Sequence, residues 1–370
     1  MSWYWYVIGA LGLALLMVVH ESGHFLVARS FGMRVTRFSI GIGPTFFKIV
    51  PEDGYWWFTT AANKVRLRLF KHDEIKHGPT IFQVAMFPIL AYVQIAGMNP
   101  LEDIDPNDKG SYANASLIGR ISTIFAGPLA NYLFASVLFF CGFLYGGRVV
   151  LPTDVNALAD RPAAAAGIQN GDRIVEINHV PVQEWEQLSE LVSQHPGDPI
   201  PVVVERKGER LTFTVTPGNE GGRGKIGVLA IGHARKVSVS AQEAGVLALK
   251  TPVTTVRDMV VGLGLYLTGK IDGELSGPAG MAQQAAKAAK SGLADLLMFL
   301  GALSAYLGAF NLVPFPALDG GRLMFLAYEA TTRRRANARI EAHIHAIGLL
   351  MMLGLVAYVT VFKDLRLFKG

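Results

Sequence analysis

Long uncharged segments dominate the pattern of apolar and polar positions along this chain. Segments of at least 17 residues without Lys, Arg, Asp or Glu include residues 3–19, 121–147, 296–318 and 346–362. Because an α-helix needs about 20 apolar residues to cross the hydrocarbon core of a bilayer, each segment is long enough once it borrows flanking residues. The pattern therefore predicts four transmembrane helices, which we place at residues 1–28, 120–147, 293–321 and 343–362.

The composition also indicates a membrane protein. Hydrophobic residues make up 51% of the chain and charged residues only 17%, which is apolar for a soluble protein. No Lys or Arg precedes the first apolar segment and a polar block follows it, so we expect this segment to stay as a helix and not to be removed as a signal peptide. The single cysteine, Cys141, excludes an intramolecular disulfide and a cysteine-based zinc cluster. The net charge of +5 is spread among loops without a basic helix, so the expected partner is the lipid bilayer and no nucleic acid.

Basic residues cluster in two of the segments that connect the predicted spans. They are frequent between the first and second spans and again between the third and fourth; those close to span ends are Arg29, Arg34, Arg37, Arg120, Arg322, Arg333, Arg334, Arg335 and Arg339. Loops that carry Lys and Arg near span ends usually face the cytoplasm, so both connecting segments are predicted to be cytoplasmic. Both termini and residues 148 to 292 would then lie outside, although Lys363, Arg366 and Lys369 oppose this assignment for the C-terminus.

Two folded regions are predicted between the spans. Residues 29–119 combine glycine turns with alternating stretches such as KVRLRLF, which predicts a cytoplasmic, membrane-associated β region of short strands. Residues 153–217 contain a turn at Asn170-Gly171, a strand, a helical stretch at 184–194 and two further strands. This second pattern predicts a compact extracytoplasmic α+β domain.

The rest of the outer segment, residues 218–292, is predicted to be an extracytoplasmic linker with amphipathic helices on the membrane interface. Charged residues cut the apolar stretch at 244–269 into short pieces, and whether that stretch crosses the bilayer stays open. The predicted fold class is therefore an α-helical polytopic membrane protein with about four transmembrane helices, an inserted extracytoplasmic α+β domain and a short membrane-associated β region.

Two histidines and a glutamate lie at the end of the first predicted span, in the stretch VVHESGH. Ionisable groups at membrane depth are costly, and they usually mark a functional site. Residues four apart project from one face of a helix, so His20 and His24 can take two corners of a tetrahedral zinc site, with Glu21 as a general base toward a water at the metal. The alternative is a polar patch packed between helices or facing a water-filled cavity. The other histidines, including His343 and His345 at the entrance of the fourth span, are expected at the surface or the interface.

A third ligand is needed for such a site, because catalytic zinc usually has three protein ligands and an open position. The third span ends in FNLVPFPALDGG, and Asp319 is the only acidic residue between Asp295 and Glu329. The predicted orientation places Asp319 and the two histidines toward the cytoplasmic side, so Asp319 is the candidate third ligand. Pro314 and Pro316 disfavour helix and leave unpaired backbone groups that could pair with a substrate strand. The alternative is that Asp319 and the glycines after it only cap a helix.

The order of these motifs resembles the site-2 protease family of intramembrane zinc metalloproteases, and more narrowly the bacterial regulator-of-sigma-E protease group. The resemblance rests on the His-Glu-x-x-His motif in the first span, FAGPLAN at Phe125–Asn131 in the second and NLVPFPALDGG in the third. FSIGIGP at Phe38–Pro44 and LSGPAGMAQ at Leu275–Gln283 also fit that group, so the resemblance covers nearly the whole chain.

The resemblance implies a set of site residues and a metal. A Zn2+ ion would be held by His20, His24 and Asp319, with Glu21 as the general base. Asn311 would contact the substrate or the developing oxyanion, and the substrate-binding segment would also include Pro314 and Pro316.

The resemblance also implies an activity: hydrolysis of peptide bonds in or near transmembrane segments of membrane proteins, for example an anti-sigma factor or a signal-peptide remnant. AGIQNGDRIVEINHVPV, Ala166–Val182, is similar to the core of the family's PDZ domains, so the outer domain is predicted to be PDZ-like and to bind a peptide or chain end. The chain carries one such unit, whereas well-known members carry two in tandem. The implied location is the bacterial cytoplasmic (inner) membrane, with the active site toward the cytoplasmic side.

Two other functions stay open on the sequence. One is a membrane-anchored zincin that cuts cytoplasmic loops, which would share the metal site and differ in where cleavage falls. The other is a non-catalytic PDZ membrane scaffold. Glu21 argues against the scaffold, because binding alone has no use for a base beside the metal ligands.

Overall fold

The computed structural model describes residues 2–60, 65–74, 78–99, 101–270 and 277–364. The chain divides into two compact units, one formed by residues 1–145 and 241–370 and the other by residues 146–240. Some residues singled out in the sequence lie outside the described part, namely Lys64, Leu275, Ser276, Arg366, Lys369 and the side chain of Lys363.

The helices follow the chain in the order α1 Trp3–Ser30, α2 Leu117–Gly146, α3 Pro162–Ala165, α4 Trp185–Ser193, α5 Ala241–Leu267, α6 Pro278–Ser291, α7 Leu293–Asn311, α8 Asp319–Thr332 and α9 Ala338–Val359. A 3₁₀ turn, Tyr112–Asn114, precedes α2, and a π-helical turn, Thr360–Asp364, follows α9. In the described part of the chain, four helices are long and apolar enough to cross a membrane: α1, α2, α7 and α9 with its extension to Phe362. The four predicted apolar helices are therefore confirmed, and α5, which covers the stretch left open as a fifth span, is not among them.

The fourth apolar helix begins earlier than the sequence predicts. α9 starts at Ala338 and not near residue 343. The Asn337 side chain accepts hydrogen bonds from the backbone N–H groups of Arg339 and Ile340, which have no partner within the helix. This cap fixes the start of the helix.

The third predicted span is not one continuous helix. α7 ends at Asn311, residues 312–318 are not helical, and α8 begins at Asp319. The prediction of a single helix over 293–321 is therefore corrected. Pro314 and Pro316 interrupt it, because each lacks a backbone donor and restricts the residue before it. We call residues 312–318 the proline loop.

A four-stranded sheet follows α1. Its strands are β1 Val35–Glu52, β2 Tyr55–Thr60, β3 Arg66–Lys71 and β4 Ile81–Ile95, in the order β3-β2-β1-β4. β1 and β4 have 18 and 15 residues and are longer than the short strands that the sequence predicts. Gly41 and Gly43, each with φ of 93°, lie between two segments of β1, and Ile40 and Phe47 of these segments both pair with Val84 of β4. Phe38 in turn pairs with Val93 on one segment of β4 and with Phe82 on another. The two long strands thus contribute several short pairing segments, and β4 lies at an edge of the sheet.

The second unit, residues 146–240, is rich in short strands. They are β5 Arg148–Val150, β6 Asp154–Ala157, β7 Asp172–Ile177, β8 Val180–Pro181, β9 Ile200–Arg206, β10 Glu209–Val215, β11 Gly218–Glu220, β12 Arg223–Lys225, β13 Val228–Ala230 and β14 Arg235–Val237. The main sheet runs β10-β9-β7-β6-β13, β8 pairs with β7, and β11–β12 and β14–β5 form two small pairs. Leu188 and Val192 of α4 belong to the same buried apolar cluster as Ile174 and Val202 of the sheet.

This folded unit is larger than the domain predicted at 153–217. β13 pairs antiparallel with β6, with Leu229 opposite Asn156. Without β13, one side of β6 would present unpaired backbone groups. β13 therefore completes the sheet, the other strands between 218 and 237, which the sequence assigns to a linker, belong to the same unit, and the first compact unit resumes at Ala241.

Small residues let the helices of the first unit pack closely. Leu16 of α1, Leu138 of α2 and Leu300 of α7 belong to one buried apolar cluster. A Cβ added to Gly9 of α1 would lie 2.9 Å from the Cβ of Ala285 on α6. The alanine-rich face of α6 therefore packs on α1. The shared leucine cluster joins α1, α2 and α7 into one packed body.

Candidate metal centre

Two imidazoles meet on one face of α1. His20 and His24 are only 5% and 7% exposed. Their Nε2 atoms lie 3.2 Å apart, and their ring planes are 82° from parallel. This is the arrangement that a four-residue spacing on a helix predicts.

Glycines on two helices make room for these rings. A Cβ added to Gly127 of α2 would lie 2.3 Å from His24 Nε2 and 2.9 Å from His20 Cε1. A Cβ added to Gly23 of α1 would lie 2.2 Å from the Ala126 carbonyl oxygen. Real Cβ atoms do not approach other atoms so closely. A side chain at either glycine would therefore collide with its neighbours, and the backbone of α2 packs directly against α1 and the two imidazole rings.

Hydrogen-bond partners on α2 fix the orientation of the rings. His24 Nδ1 lies 2.7 Å from the Thr123 carbonyl oxygen, which can only accept, so Nδ1 carries the ring proton. His20 Nδ1 lies 3.2 Å from the Asn131 side-chain amide, and Asn131 Oδ1 has no hydrogen-bond partner in the described part of the chain. An amide turned so that Oδ1 accepts from Nδ1–H satisfies both groups. Both Nε2 atoms then keep a free lone pair.

Asp319, the residue after the proline loop, lies next to the two histidines. Its Oδ2 atom lies 3.1 Å from His20 Nε2 and 3.3 Å from His24 Nε2. Asp319 is the first residue of α8, and a helix N-terminus favours a negative charge. A Cβ added to Gly320 would lie 2.2 Å from the Val313 carbonyl oxygen, so the loop folds tightly onto the first turn of α8. The glycine after Asp319 is therefore required by this close contact, and capping alone does not explain it.

The three facing atoms fit a tetrahedral zinc ion. The distances between them are 3.1, 3.2 and 3.3 Å. A tetrahedral ion with ligands at about 2.0–2.1 Å has ligands about 3.3 Å apart. Asp319 Oδ2 has no hydrogen-bond donor among the described residues, as expected when both histidines carry their protons on Nδ1. Three lone pairs therefore converge without a proton between them. Among the described residues, no other group of three ligand atoms from His, Cys, Asp or Glu lies this close together.

Glu21, the residue that follows His20 in the chain, lies beside these three ligand candidates. Its side chain is half-buried and lies near the backbone N–H of Val93 on β4. Phe25 of α1 contacts Phe38 of β1 and Phe82 of β4, and these aromatic contacts hold the sheet against the helix. The edge strand of the sheet therefore borders the site on the side of Glu21.

The remaining predicted residues lie at the end of α7 and in the proline loop. Asn311 is the last residue of α7, and its Nδ2 donates a hydrogen bond of 3.0 Å to the Leu307 carbonyl oxygen. Pro314 is exposed and Pro316 is half-buried. These residues precede Asp319 in the chain, and the hydrogen bond of Asn311 stays within its own helix.

Several residues that support the site are not predicted from the sequence. Asn131 and Gly127 lie in FAGPLAN, which contributes to the sequence prediction only through the family resemblance. A polar Asn inside an apolar span is a signal that could have found Asn131. Thr123 acts through its carbonyl group, which no side-chain pattern reveals. His345, predicted at the surface or the interface, is half-buried, and its Nδ1 accepts a hydrogen bond from the proline loop.

Comparison with known proteins places the chain in a family. The model of peptidase family M50 matches residues 8–355. A curated relative from Rhizobium meliloti, whose name assigns it provisionally to the zinc metalloproteases, is 32% identical over 94% of this chain and 92% of the relative. A relative from Mesorhizobium japonicum with the same kind of name is 32% identical over 94% of this chain and 95% of the relative. Zinc metalloprotease RasP from Geobacillus kaustophilus is 28% identical over 95% of this chain and 96% of RasP.

Similarity to solved structures is lower. A solution structure from Geobacillus thermodenitrificans covers 20% of this chain and 85% of that chain at 23% identity, with a TM-score of 0.17, which is too low to assign a fold. The family match, by contrast, spans the helices that carry His20, His24 and Asp319. With its four apolar helices, this chain is an integral membrane protein that belongs to peptidase family M50, the site-2 protease family.

Proposed function

We propose that this protein is a zinc-dependent intramembrane endopeptidase that hydrolyses peptide bonds in or near the transmembrane segments of other proteins. The observation that carries the proposal is the convergence of His20, His24 and Asp319 on one point between apolar helices, with Glu21 beside it. The name of RasP, a zinc metalloprotease, supports the choice of metal. The donor set of two imidazoles and one carboxylate also suits catalytic zinc.

Each residue of the site has a distinct role in this proposal. The two Nε2 atoms and Asp319 Oδ2 would hold the zinc ion. When bound, zinc supplies a Lewis acid that polarises the scissile carbonyl group and activates water near neutral pH. Glu21 accepts the proton of the attacking water and passes it to the leaving amine. Asn131 and the Thr123 carbonyl group keep the ring protons on Nδ1, so the Nε2 lone pairs stay available.

The substrate must be extended before it is cut, because a helix hides its carbonyl groups in hydrogen bonds. Two backbone segments next to the site can bind an extended chain: the β4 edge near Val93, and the proline loop with Pro314 and Pro316. A strand edge binds such a chain by adding it to the sheet. Asn311, where the loop begins, is then placed to contact the substrate. A substrate of this kind is a membrane-embedded helix that has been unwound, for example that of an anti-sigma factor or a signal-peptide remnant.

The orientation in the membrane follows from the basic residues near the span ends. It places the metal site toward the cytoplasmic side of a bacterial inner membrane and residues 146–240 on the outer side. Reporter fusions test this orientation: a reporter near Gly218 should be extracytoplasmic and one near Arg335 cytoplasmic. A cytoplasmic signal near Gly218 would contradict it.

The strand-rich unit at 146–240 is proposed to be a PDZ-like domain that selects substrates. In support, a cavity of about 330 Å³ lies between α4 and the strands β12 and β13. Leu188, Val192 and Val228 give it an apolar lining, and the charged groups at its rim, Arg161 and Lys225, both form ion pairs with Glu220. An apolar groove between a helix and strands suits the side chains of an extended peptide or chain end.

A comparison of the wild-type chain with Glu21→Gln tests the proposed activity. Both proteins should contain zinc, and only the wild type should cleave a membrane substrate reconstituted in lipid vesicles, within its apolar segment. Cleavage confined to a cytoplasmic loop of the substrate would favour a membrane-anchored zincin. Zinc binding without cleavage by either protein would favour a non-catalytic scaffold.

A further inference from the structure

A histidine on the fourth apolar helix contacts the loop that leads to Asp319. The Nδ1 atom of His345 on α9 accepts a hydrogen bond of 3.0 Å from the backbone N–H of Ala317. Ala317 lies in the proline loop, two residues before Asp319. Because Nδ1 accepts, a neutral His345 ring carries its proton on Nε2, so the ring orientation is set by this contact.

Ala317 needs a partner because its backbone adopts a costly conformation. Its φ is +76°, in the left-handed region that residues with a Cβ avoid. The preceding residue, Pro316, has no N–H group and cannot share the task of anchoring the turn. Residues other than glycine keep such a conformation only where their surroundings hold them. The acceptor on His345 is one such restraint.

A second contact from the same helix restrains the neighbouring residue. A Cβ added to Gly348 of α9 would lie 2.4 Å from the Cβ of Pro316 and 2.6 Å from its carbonyl oxygen. Gly348 is three residues after His345, so the two positions share one face of α9. Gly354, further along the helix, has nothing within 4 Å of an added Cβ. Of these two glycines, only Gly348 lies against another part of the chain.

We infer that His345 and Gly348 form a clamp through which α9 positions Asp319 for metal binding. The inference rests on the proposed zinc site. A carboxylate oxygen binds zinc at about 2.0–2.2 Å, so a small rotation of the residue that carries it removes the bond. If Ala317 relaxed to a common backbone conformation, the chain direction two residues before Asp319 would change. His345 is therefore a positioning residue, which acts through the loop and touches neither the metal nor the substrate.

Zinc affinity of the purified full-length chain, measured by competition with a chromophoric chelator, tests the clamp. His345→Leu removes the acceptor, and the zinc dissociation constant should rise about 10-fold or more, as for residues that orient metal ligands in other sites. His345→Asn places an acceptor oxygen near the position of Nδ1 and should restore most of the affinity. His343→Leu is the matched control: His343 is exposed on the same helix, its Nδ1 lies 2.6 Å from the Arg339 carbonyl oxygen, and its loss should leave the affinity unchanged.

A second pair of variants tests the same clamp without altering a histidine. Gly348→Ala pushes a methyl group against Pro316 and should also weaken zinc binding, whereas Gly354→Ala should not. Thermal unfolding of the zinc-free proteins separates positioning from general stability. A positioning role predicts weaker zinc binding with little change in the unfolding midpoint of the zinc-free chain, and a parallel loss of both would show a merely structural role.

Asp319→Ala, measured beside these variants, separates failure of the clamp from failure of the proposed site. If Asp319→Ala keeps its zinc, the ligand set itself is wrong. If Asp319→Ala loses zinc while His345→Leu and Gly348→Ala bind it as tightly as the wild type, the site stands and the clamp is overturned. Should His345→Leu fail to fold, the Gly348→Ala and Gly354→Ala pair gives the same decision.

Discussion

Arg120 of α2 and Glu329 of α8 form a bidentate ion pair, with hydrogen bonds of 2.9 and 2.6 Å. Their side chains are only 7% and 17% exposed. Glu329 lies on the helix that begins with Asp319, and Arg120 lies on the helix that supports both histidines. The pair therefore links α2, which contacts both histidines, to α8, which carries Asp319.

The first prediction is that Glu329→Ala destabilises the protein strongly at neutral pH. It leaves the buried Arg120 guanidinium without its partner, which typically costs about 3–5 kcal/mol. Hydrogen bonds from Arg120 hold the pKa of Glu329 below its usual range. The pair therefore stabilises the fold above the usual carboxyl pKa, and this contribution is lost as the pH falls through the lowered pKa. The unfolding midpoints of wild type and variant should differ widely at pH 7 and converge in acid below about pH 4.

A suitable control for this prediction is Glu52→Ala. Glu52 pairs with Arg66, but the two side chains are 49% and 42% exposed. Exposed pairs contribute little, so the unfolding midpoint of this variant should stay close to that of the wild type. An unfolding difference for Glu329→Ala that is the same at both pH values would show that the ion pair is not its source.

The second prediction concerns the ligand set. His20→Ala, His24→Ala and Asp319→Ala should each lose zinc, since each removes one of three converging lone pairs. Metal content measured by mass spectrometry on the purified chains gives the result directly. His233→Ala, at an exposed position in the other unit, should keep its zinc. Full zinc occupancy in Asp319→Ala would disprove the third ligand.

The third prediction is that Gly127→Ala weakens zinc binding by about 10-fold or more, although it leaves every ligand in place. The added Cβ would lie 2.3 Å from His24 Nε2, so either the imidazole or α2 must move. Gly245→Ala on α5, where an added Cβ meets nothing within 4 Å, is the control. Chelator competition and helical circular dichroism of both variants check the affinity and the fold. Unchanged affinity in Gly127→Ala would contradict the packing that we describe.

The fourth prediction separates two replacements of Asn131. Asn131→Leu removes the acceptor for the Nδ1–H of His20, and zinc should bind about 10- to 100-fold more weakly. Asn131→Asp keeps an acceptor at the same place and should retain most of the affinity. The same chelator competition gives both values. Equal affinity of the Leu and Asp variants would show that this hydrogen bond does not orient the imidazole.

The fifth prediction concerns the strand-rich unit. A chain in which a flexible linker replaces residues 147–240 should bind zinc and cleave a short transmembrane peptide, but should change which full-length proteins are cut. A deletion limited to 153–217 is unsuitable, because it removes β6 and leaves β13 without a partner. If the linker variant binds zinc yet cannot cleave the short peptide, the unit is part of the catalytic machinery and not a selector.

The sequence predicts those parts of the structure that depend on local spacing and chemistry. The apolar segments give the four long helices, because helix length and hydropathy are local properties. The four-residue spacing of His20 and His24 places both rings on one face for the same reason. Asp319 could be singled out because it is an isolated acidic residue at the end of an apolar segment.

The parts that the sequence does not predict depend on contacts between distant segments. The left-handed backbone of Ala317 arises from the fold of the proline loop against α9, and an alanine carries no signal for it. The same holds for His345, whose partner is a backbone N–H on another element. The pairing of Phe38 with two segments of β4, and of β13 with β6, likewise depends on which distant strands meet.

The separation of the ligands along the chain has a consequence for biosynthesis. α1, which carries His20 and His24, is made first, whereas Asp319 follows only after helices α2 to α7. A nascent chain on the ribosome therefore has two imidazoles in the membrane long before it has the carboxylate. It cannot assemble the complete set of three candidate ligands until the first residue of α8 has been synthesised. Chains truncated before Asp319 are accordingly expected to insert into the membrane as inert precursors.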